Sequence, residues 1–379
     1  MEIRLMEDSL GDDEFYAVIQ CLKSGKYTQG ETVEKFEKRF AEWNGSKYAV
    51  MVNSGSSANL LMAYMLKQRY GLKDGDEVLV PSVTWPTTVY PIIQHNLVPV
   101  FCDVDDSFNI SPESIKKMVS QKTKAIFAVH LLGQPAEIAA ILRVCKENGL
   151  LLLEDCCESL GACIRSRKVG NFGLMGSFSF YFAHHITTIE GGMIVTDDRE
   201  TYDMLKSARS HGWVRGSDRE KLYPGMDKAF LFDMLGYNLR STNLNASIGL
   251  VQLDKLDRFI AIRRESHAHF VSKMRQTGLR IQKVDITQTS SFAFAVICND
   301  RAHKEITMSW LRKNGVEVRP IVAGNLLNQP VFKSSNFRRD KLANADIIDA
   351  CGFYFGNNHT MTPQKIDYAV SLIMNCPKD

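Results

Sequence analysis

The stretch LLLLEDCCESLGA, residues 150–162, decides how the fold is read. Four leucines run into two carboxylates, Glu154 and Asp155, the pattern of a short buried strand ending at a polar edge. Just before it, PAEIAAILRVCKENG (135–149) carries apolar residues at helical spacing and closes on a glycine, a helix stop. A helix feeding a buried strand is half of a βαβ unit, and the alternation continues outward in both directions. YAVMV, DEVLVP, VPVFCDVD, KAIFAVHLL, GSFSFYF and GGMIVTDD are further short apolar runs between residues 48 and 198, separated by amphipathic segments. This predicts an α/β fold with a mostly parallel central sheet and helices on both faces. In such sheets ligands sit beyond the carboxyl ends of the strands. Past residue 247 the pattern changes. GLVQLDKLDRFIAIRRESHAHFVSKMR reads as one long helix, followed by SSFAFAVIC, the helix RAHKEITMSWLRKNG, VEVRPIV and a final helix PQKIDYAVSLIM. The expected units are a large ligand-binding domain over 1–245, including the N-terminal segment, and a smaller α+β domain over 246–379.

The bulk composition narrows the class. The 379 residues are 45% hydrophobic and 23% charged, with net charge +3 and no run rich in Lys or Arg, so no nucleic-acid partner is expected. The acidic start MEIRLMEDSLGDDEF lacks the apolar core of a signal peptide, and no apolar segment reaches membrane-spanning length. Nine cysteines lie scattered, most within apolar runs and none in a C-x-x-C pair. They read as reduced thiols of a cytoplasmic protein, and no metal site is expected.

Four strand ends carry polar or aromatic residues suited to a ligand. In VNSGSSANLLMAYML, Gly55, Ser56 and Ser57 precede a helical run from Ala58, and free N–H groups beside hydroxyls suit a phosphate; an ordinary N-cap reads the same way. In VPSVTWPTT, Trp85 lies past a strand end, either as a stacking face for a flat ligand or as a core residue. Asp155 can hold a protonated ring nitrogen, or cap a helix with Glu158 completing a capping box. Ser179, on the strand of GSFSF, requires a partner if buried, a phosphate or a backbone carbonyl.

Taken in order, phosphate cradle, aromatic stacker, strand-end Asp and strand Ser resemble the pyridoxal-phosphate fold of the aspartate aminotransferase type, fold type I. More closely, the chain resembles the sugar aminotransferase family DegT/DnrJ/EryC1/StrS. KYTQGETVEKFEKRFAEWNGSKYAVMVNSGSSANLL, GYNLRSTNLNASIGLVQLDKL and VEVRPIVAGNLL carry the resemblance almost from end to end. It implies that Ser56, Ser57 and Ser179 contact the cofactor phosphate, that Trp85 stacks on its ring, that Asp155 faces the ring nitrogen and that Glu158 contacts the ring hydroxyl. It also implies a homodimer, with Asn238 of GYNLRS touching the partner's cofactor phosphate.

The family carries a lysine six residues before the Glu of EGG, which links covalently to the cofactor. Here that Glu is Glu190, and position 184 is His, in SFSFYFAHHITTIEGGM (177–193). No lysine occurs between Lys168 and Lys206. An imidazole cannot form the link but can move a proton near neutral pH. His in place of Lys resembles a lysine-less branch of keto-sugar 3-dehydratases. The resemblance implies pyridoxal 5'-phosphate cycling with pyridoxamine 5'-phosphate, glutamate as amino donor and His184 as the proton shuttle. The implied substrate is a nucleotide-linked 4-keto-6-deoxy sugar, GDP-linked, in deoxysugar synthesis for O-antigen. A cousin branch holds an iron–sulfur cluster through clustered cysteines. The cluster-free branch is expected here, since Cys156, Cys157 and Cys163 are the only grouping and no C-x-C occurs. Adjacent side chains on an extended segment point opposite ways, so His184 is expected in the site and His185 outside it. His211 in RSHGWVR and Arg319 in VEVRPIV match segments that border the substrate. Arg319 would hold a donor carboxylate or a diphosphate oxygen. A true aminotransferase and a non-catalytic cofactor-binding regulator are the rival readings.

Overall fold

The structure is a computed structural model that describes residues 1–7 and 9–377. Its strands, in chain order, are β1 Tyr48–Val52, β2 Glu77–Pro81, β3 Val98–Cys102, β4 Thr123–Val129, β5 Leu151–Asp155, the small hairpin β6 Cys163–Ile164 and β7 Arg167–Lys168, β8 Met175–Ser179, β9 Gly192–Thr196, β10 Arg280–Ile281, β11 Ala293–Ile297, β12 Val318–Pro320, β13 Arg338–Arg339 and β14 Gly352–Gly356. Eight of them form one sheet in the order β1-β9-β8-β5-β4-β2-β3-β13. Only β9 runs antiparallel to its neighbours.

Alternation along each strand feeds two apolar layers. On β4, Ala125, Phe127 and Val129 join one cluster with Leu61, Met62 and Met65 of the helix Gly55–Gln68. Ile126 and Ala128 face the other way, toward Ile141 and Val144 of the helix Ile138–Asn148. That helix ends at Gly149 in the left-handed conformation (φ 63°), the stop expected from sequence. At the β8–β9 side, Phe178 meets the ring of Phe40 edge-on at 5.2 Å and joins one cluster with Phe36 of the same helix Glu31–Asn44 and Leu253 and Leu256 of the helix Asn243–Met274. Full burial of one such phenylalanine contributes about 1.5–3 kcal/mol.

The second sheet is antiparallel, β10-β11-β14-β12, and is covered by the helices Arg301–Lys313 and Pro363–Met374. Two connections were not visible in the sequence. Ile3 bridges Val316, so the first residues, grouped with the large unit on sequence, run beside the smaller sheet. Conversely, β13 from the C-terminal part closes the edge of the large sheet, where Arg338 meets the Glu77 carboxylate at 2.5 Å.

Candidate active site

The carboxyl ends of β2, β5 and β8 meet the N-terminus of the helix Gly55–Gln68. Asp155, at the end of β5, is buried. Its Oδ2 accepts from Asn59 Nδ2 (2.7 Å) and Thr88 Oγ1 (2.8 Å), and its Oδ1 accepts from the Cys157 N–H (3.1 Å). Asn59 is held in turn by Ser177, whose hydroxyl donates to Asn59 Oδ1 at 2.6 Å. The helix-cap alternative for Asp155 does not hold: a turn follows it, and the Cys157 bond is the local turn bond of an Asp side chain. Glu158 forms no capping box. Its Oε2 accepts from the Leu132 N–H at 2.9 Å, across to the loop after β4. Burial pushes the Glu158 carboxyl up to about 7; the Leu132 N–H opposes this and nearby Asp155 adds to it.

The helix Gly55–Gln68 starts at Gly55, three residues earlier than the sequence suggested, with Ser54 as its cap accepting from the Ser57 N–H at 3.1 Å. Its first turn therefore presents N–H groups that no intrahelical carbonyl serves. Ser57 donates to Asn53 Oδ1 at 2.6 Å, and Ser56 lies 3.2 Å from Thr87 Oγ1, beside the Trp85 segment. A Cβ on Gly55 would stand 2.7 Å from the Ser179 Cβ and 2.9 Å from the Cys157 sulfur, so only glycine lets helix, β5 turn and β8 close together here. Ser179 is buried, and its Oγ accepts from the Tyr181 N–H at 3.3 Å, which leaves the hydroxyl hydrogen to donate. Trp85 is 55% exposed, which removes the core reading and leaves its ring available for stacking.

His184 lies in the twelve-residue loop between β8 and β9. Its Nδ1 is 2.7 Å from the Cys157 carbonyl. A carbonyl only accepts, so Nδ1 carries the proton and Nε2 keeps a lone pair. Burial drives the His184 pKa down to about 4, with Arg263 acting in the same direction, while the Cys157 carbonyl and Asp155 oppose it. The imidazole is therefore neutral at neutral pH. His185 is buried deeper, and its Nε2 is 2.6 Å from the Ser290 carbonyl. The expectation that the two side chains point opposite ways on an extended segment has no basis in the backbone, and both histidines line one small cavity. The segment is bent, not extended: the His184 N–H donates to the Tyr181 carbonyl at 3.0 Å, and the two rings bond to different carbonyls, of Cys157 and Ser290. Both rings still flank Phe292, with centroids at 5.2 and 6.0 Å.

The remaining expected residues lie outside this cradle in the single chain. Asn238 and Arg240 line an open cavity of about 620 Å³ with Trp213 and Arg215. His211 is exposed with φ 66°, its N–H donating to the Tyr237 carbonyl at 2.6 Å. Arg319 is exposed on β12, paired in register with Tyr354 of β14. Burial raises the pKa of the Tyr354 phenol, with Glu158 adding to the shift and Arg319 opposing it. Cys156, Cys157 and Cys163 do not converge. The Cys156 sulfur faces Gly170, the Cys157 sulfur faces Gly55, and the Cys163 sulfur reaches Thr287. Among the described residues, His130, Glu154 and Cys156 group their donor atoms. There the Glu154 carboxylate already accepts from the N–H groups of Gly170, Phe172 and Gly173, and His130 Nδ1 accepts from Ala136, leaving its Nε2–H for Glu154. That group ties the 170–173 turn to the sheet. Sequence reasoning missed Asn59, Thr88 and Ser177; the one available signal was an asparagine inside the apolar helical run ANLLMAYML, since a buried amide must find partners.

A model of the DegT/DnrJ/EryC1/StrS aminotransferase family matches residues 8–374. The chain belongs to that family. Among curated relatives, GDP-4-keto-6-deoxy-D-mannose 3-dehydratase of Escherichia coli O55:H7 is 39% identical over 378 residues, 96% of this chain and 97% of that protein. Among solved structures, a GDP-4-keto-6-deoxymannose-3-dehydratase carrying a His-to-Asn substitution, with bound GDP-perosamine, superposes with a TM-score of 0.94 at 38% identity, covering 98% of this chain and all of that one. The same enzyme with a trapped PLP–glutamate geminal diamine gives a TM-score of 0.92 at 38% identity, again over 98% and 100% of the two chains.

Proposed function

We propose that this chain is a pyridoxal phosphate-dependent GDP-4-keto-6-deoxy-D-mannose 3-dehydratase that uses glutamate as amino donor. The observation that carries the reading is His184, a neutral imidazole whose Nδ1 is tied to a backbone carbonyl, in a family position where a lysine would make ordinary aminotransfer possible. The cradle fits the cofactor in chemistry. Hydroxyls of Ser56, Ser57 and Ser179 beside unserved helix N–H groups suit a phosphate, exposed Trp85 offers a stacking face, and the Asp155 carboxylate suits a protonated ring nitrogen. When bound as the pyridoxamine form, the cofactor supplies an amine for the sugar's C4 ketone and a ring that accepts electrons.

The protein's own share is proton handling and placement. Asp155, clamped by Asn59 and Thr88, keeps a negative charge where the ring nitrogen needs to stay protonated. Glu158 is set to contact the ring hydroxyl, held by the Leu132 N–H. His184 Nε2 takes up one proton, and the resulting imidazolium returns one to the departing 3-hydroxyl of the sugar. Without a lysine to compete, release of the enamine and loss of ammonia in water give the 3-deoxy-4-keto sugar. Asn238 serves the neighbouring subunit's phosphate in a homodimer, and His211 and Arg319 border the substrate. The division proposed is a large unit over 1–245 and a smaller one over 246–379, joined by the helix Asn243–Met274, with Ile3 crossing to the smaller sheet and β13 to the large one. Among the described residues no helix is long and apolar enough to cross a membrane, which fits action on a nucleotide sugar in the cytoplasm. Incubation with cofactor, glutamate and GDP- or CDP-linked 4-keto sugars tests the reading. Loss of water from the GDP sugar with release of free ammonia supports it; amine retained in the sugar product overturns it.

A further inference from the structure

We propose that Arg263 is the positioning residue of the His184 proton shuttle: its buried guanidinium, paired with no carboxylate among the described residues, clasps the carbonyls of His184, Ser291 and Asn357 and so fixes the shuttle loop between the two sheets. Arg263 lies on the helix Asn243–Met274 and is 1% exposed. Its Nη2 donates to the His184 carbonyl at 3.4 Å, and its Nη1 to the Ser291 carbonyl at 3.4 Å and to the Asn357 carbonyl. Its Nε–H has no partner among the described residues. The clasp is itself braced: Asn357 Nδ2 donates to the Arg263 carbonyl (2.8 Å) and to the Ser291 hydroxyl (3.0 Å), which meets His267 Nδ1 at 2.6 Å.

A lone buried cation is costly, and an apolar residue of the same length would be cheaper for folding alone. Burial lowers the Arg263 pKa to about 9, so it remains charged at neutral pH. Three backbone carbonyls from three segments are what a planar fork can gather and an ammonium cannot. Two of those carbonyls belong to the smaller sheet's side, following the 280s and β14; the third belongs to the catalytic histidine itself.

The charge has a chemical consequence. Among the described residues, the titratable and charged groups that face His184 are Asp155 and Cys157 from the β5 turn, Tyr181 and His185 from its own loop, His359 across a small cavity, and Arg263 from the helix. Beyond burial, Arg263 disfavours the charged form of both His184 and His185. An imidazolium formed at His184 is thereby a stronger acid, as protonation of a leaving hydroxyl requires, while the resting ring stays neutral and able to accept.

This inference rests on His184 as the shuttle; its first readout, a titration, needs no turnover, so its failure is separable from failure of the dehydratase reading. The His184 ring is titrated by NMR in histidine-labelled protein, with His184→Asn assigning the signal. Parent protein should titrate well below 6.5, and Arg263→Met should raise that value by about one pH unit. The acid limb of the kcat/KM profile should move with it, and kcat should fall at least tenfold. Arg263→Lys should keep the low titration yet lose kcat, because the charge stays and the fork is gone. An ordinary titration near 6.5 in the parent overturns the proposal, as does a folded Arg263→Met with unchanged titration. Should Arg263→Met not fold, Arg263→Lys decides: parent-like kcat overturns it, and lost kcat with the titration still low supports it.

Discussion

Replacing Asp155 with Asn separates what holds the β5 turn from what drives the chemistry. The carboxylate accepts three bonds, two on Oδ2 and one on Oδ1. An amide that places its oxygen toward Asn59 and Thr88 keeps the first two. Its NH₂ then faces the Cys157 N–H, donor against donor, in a buried position. One stranded buried donor costs about 1–3 kcal/mol, and this is the expected loss of stability in urea unfolding of the cofactor-free protein. Turnover should fall further, by about 10²–10³-fold, the range for removing one preorganised electrostatic partner of the reacting group. The asymmetry arises because the amide retains the turn's main hydrogen bonds while losing the negative charge offered to the ring nitrogen. Dehydration is followed by mass, ammonia release by a coupled assay. Thr88→Val serves as the control: it removes one of three bonds, keeps the charge, and should cost about 1 kcal/mol of stability with a much smaller effect on rate. If Asp155→Asn unfolds more easily yet turns over within threefold of the parent, Asp155 is a turn residue only and the electron-sink argument is lost.

Other outcomes follow from the same geometry. His184→Asn should bind cofactor and sugar but lose about 10²–10⁴-fold in dehydration, whereas His185→Asn should chiefly lower stability through its bond to Ser290; the reverse pattern would shift the assignment by one residue. His184→Lys should turn the protein yellow and make it reducible by borohydride at that lysine, whereas the parent should yield no pyridoxyl-lysine from the pocket on peptide mapping. Glu158, raised from 4.5 to about 7, binds its proton more tightly when folded, so the cofactor-free protein should lose stability as pH rises from about 4.5 to about 7. The full difference of about 2.5 pH units corresponds to about 3 kcal/mol, and Glu158→Gln should flatten it; equal slopes in urea unfolding between pH 5 and 8 would contradict the burial. Trp85→Ala should weaken cofactor binding by about tenfold while leaving unfolding nearly unchanged, because the ring is more than half exposed; loss of stability without loss of binding would return Trp85 to a packing role.

What the sequence could and could not disclose follows from the range of the forces involved. The central sheet was legible because burial on both faces imposes continuous apolar runs, and each strand end was legible because the run stops at a polar residue. β5 with Asp155 and β8 with Ser179 are both of this kind. The divergence of Glu158 from Asp155 and the bent path of the histidine loop were not, since each depends on partners far along the chain: Leu132 for Glu158, Cys157 and Ser290 for the two imidazoles. The shuttle shows this most sharply. The substitution of lysine by histidine is local and visible in one motif, but an imidazole acts as a base only in one tautomer and one orientation. Those are set by the Cys157 carbonyl, 27 residues upstream, and the Arg263 clasp, 79 residues downstream. Exchanging lysine for histidine in a relative without that support would therefore place an imidazole near the cofactor without fixing which nitrogen faces it. Such a graft should remain slow until a buried arginine at the position of Arg263, with its three carbonyl acceptors, is present as well.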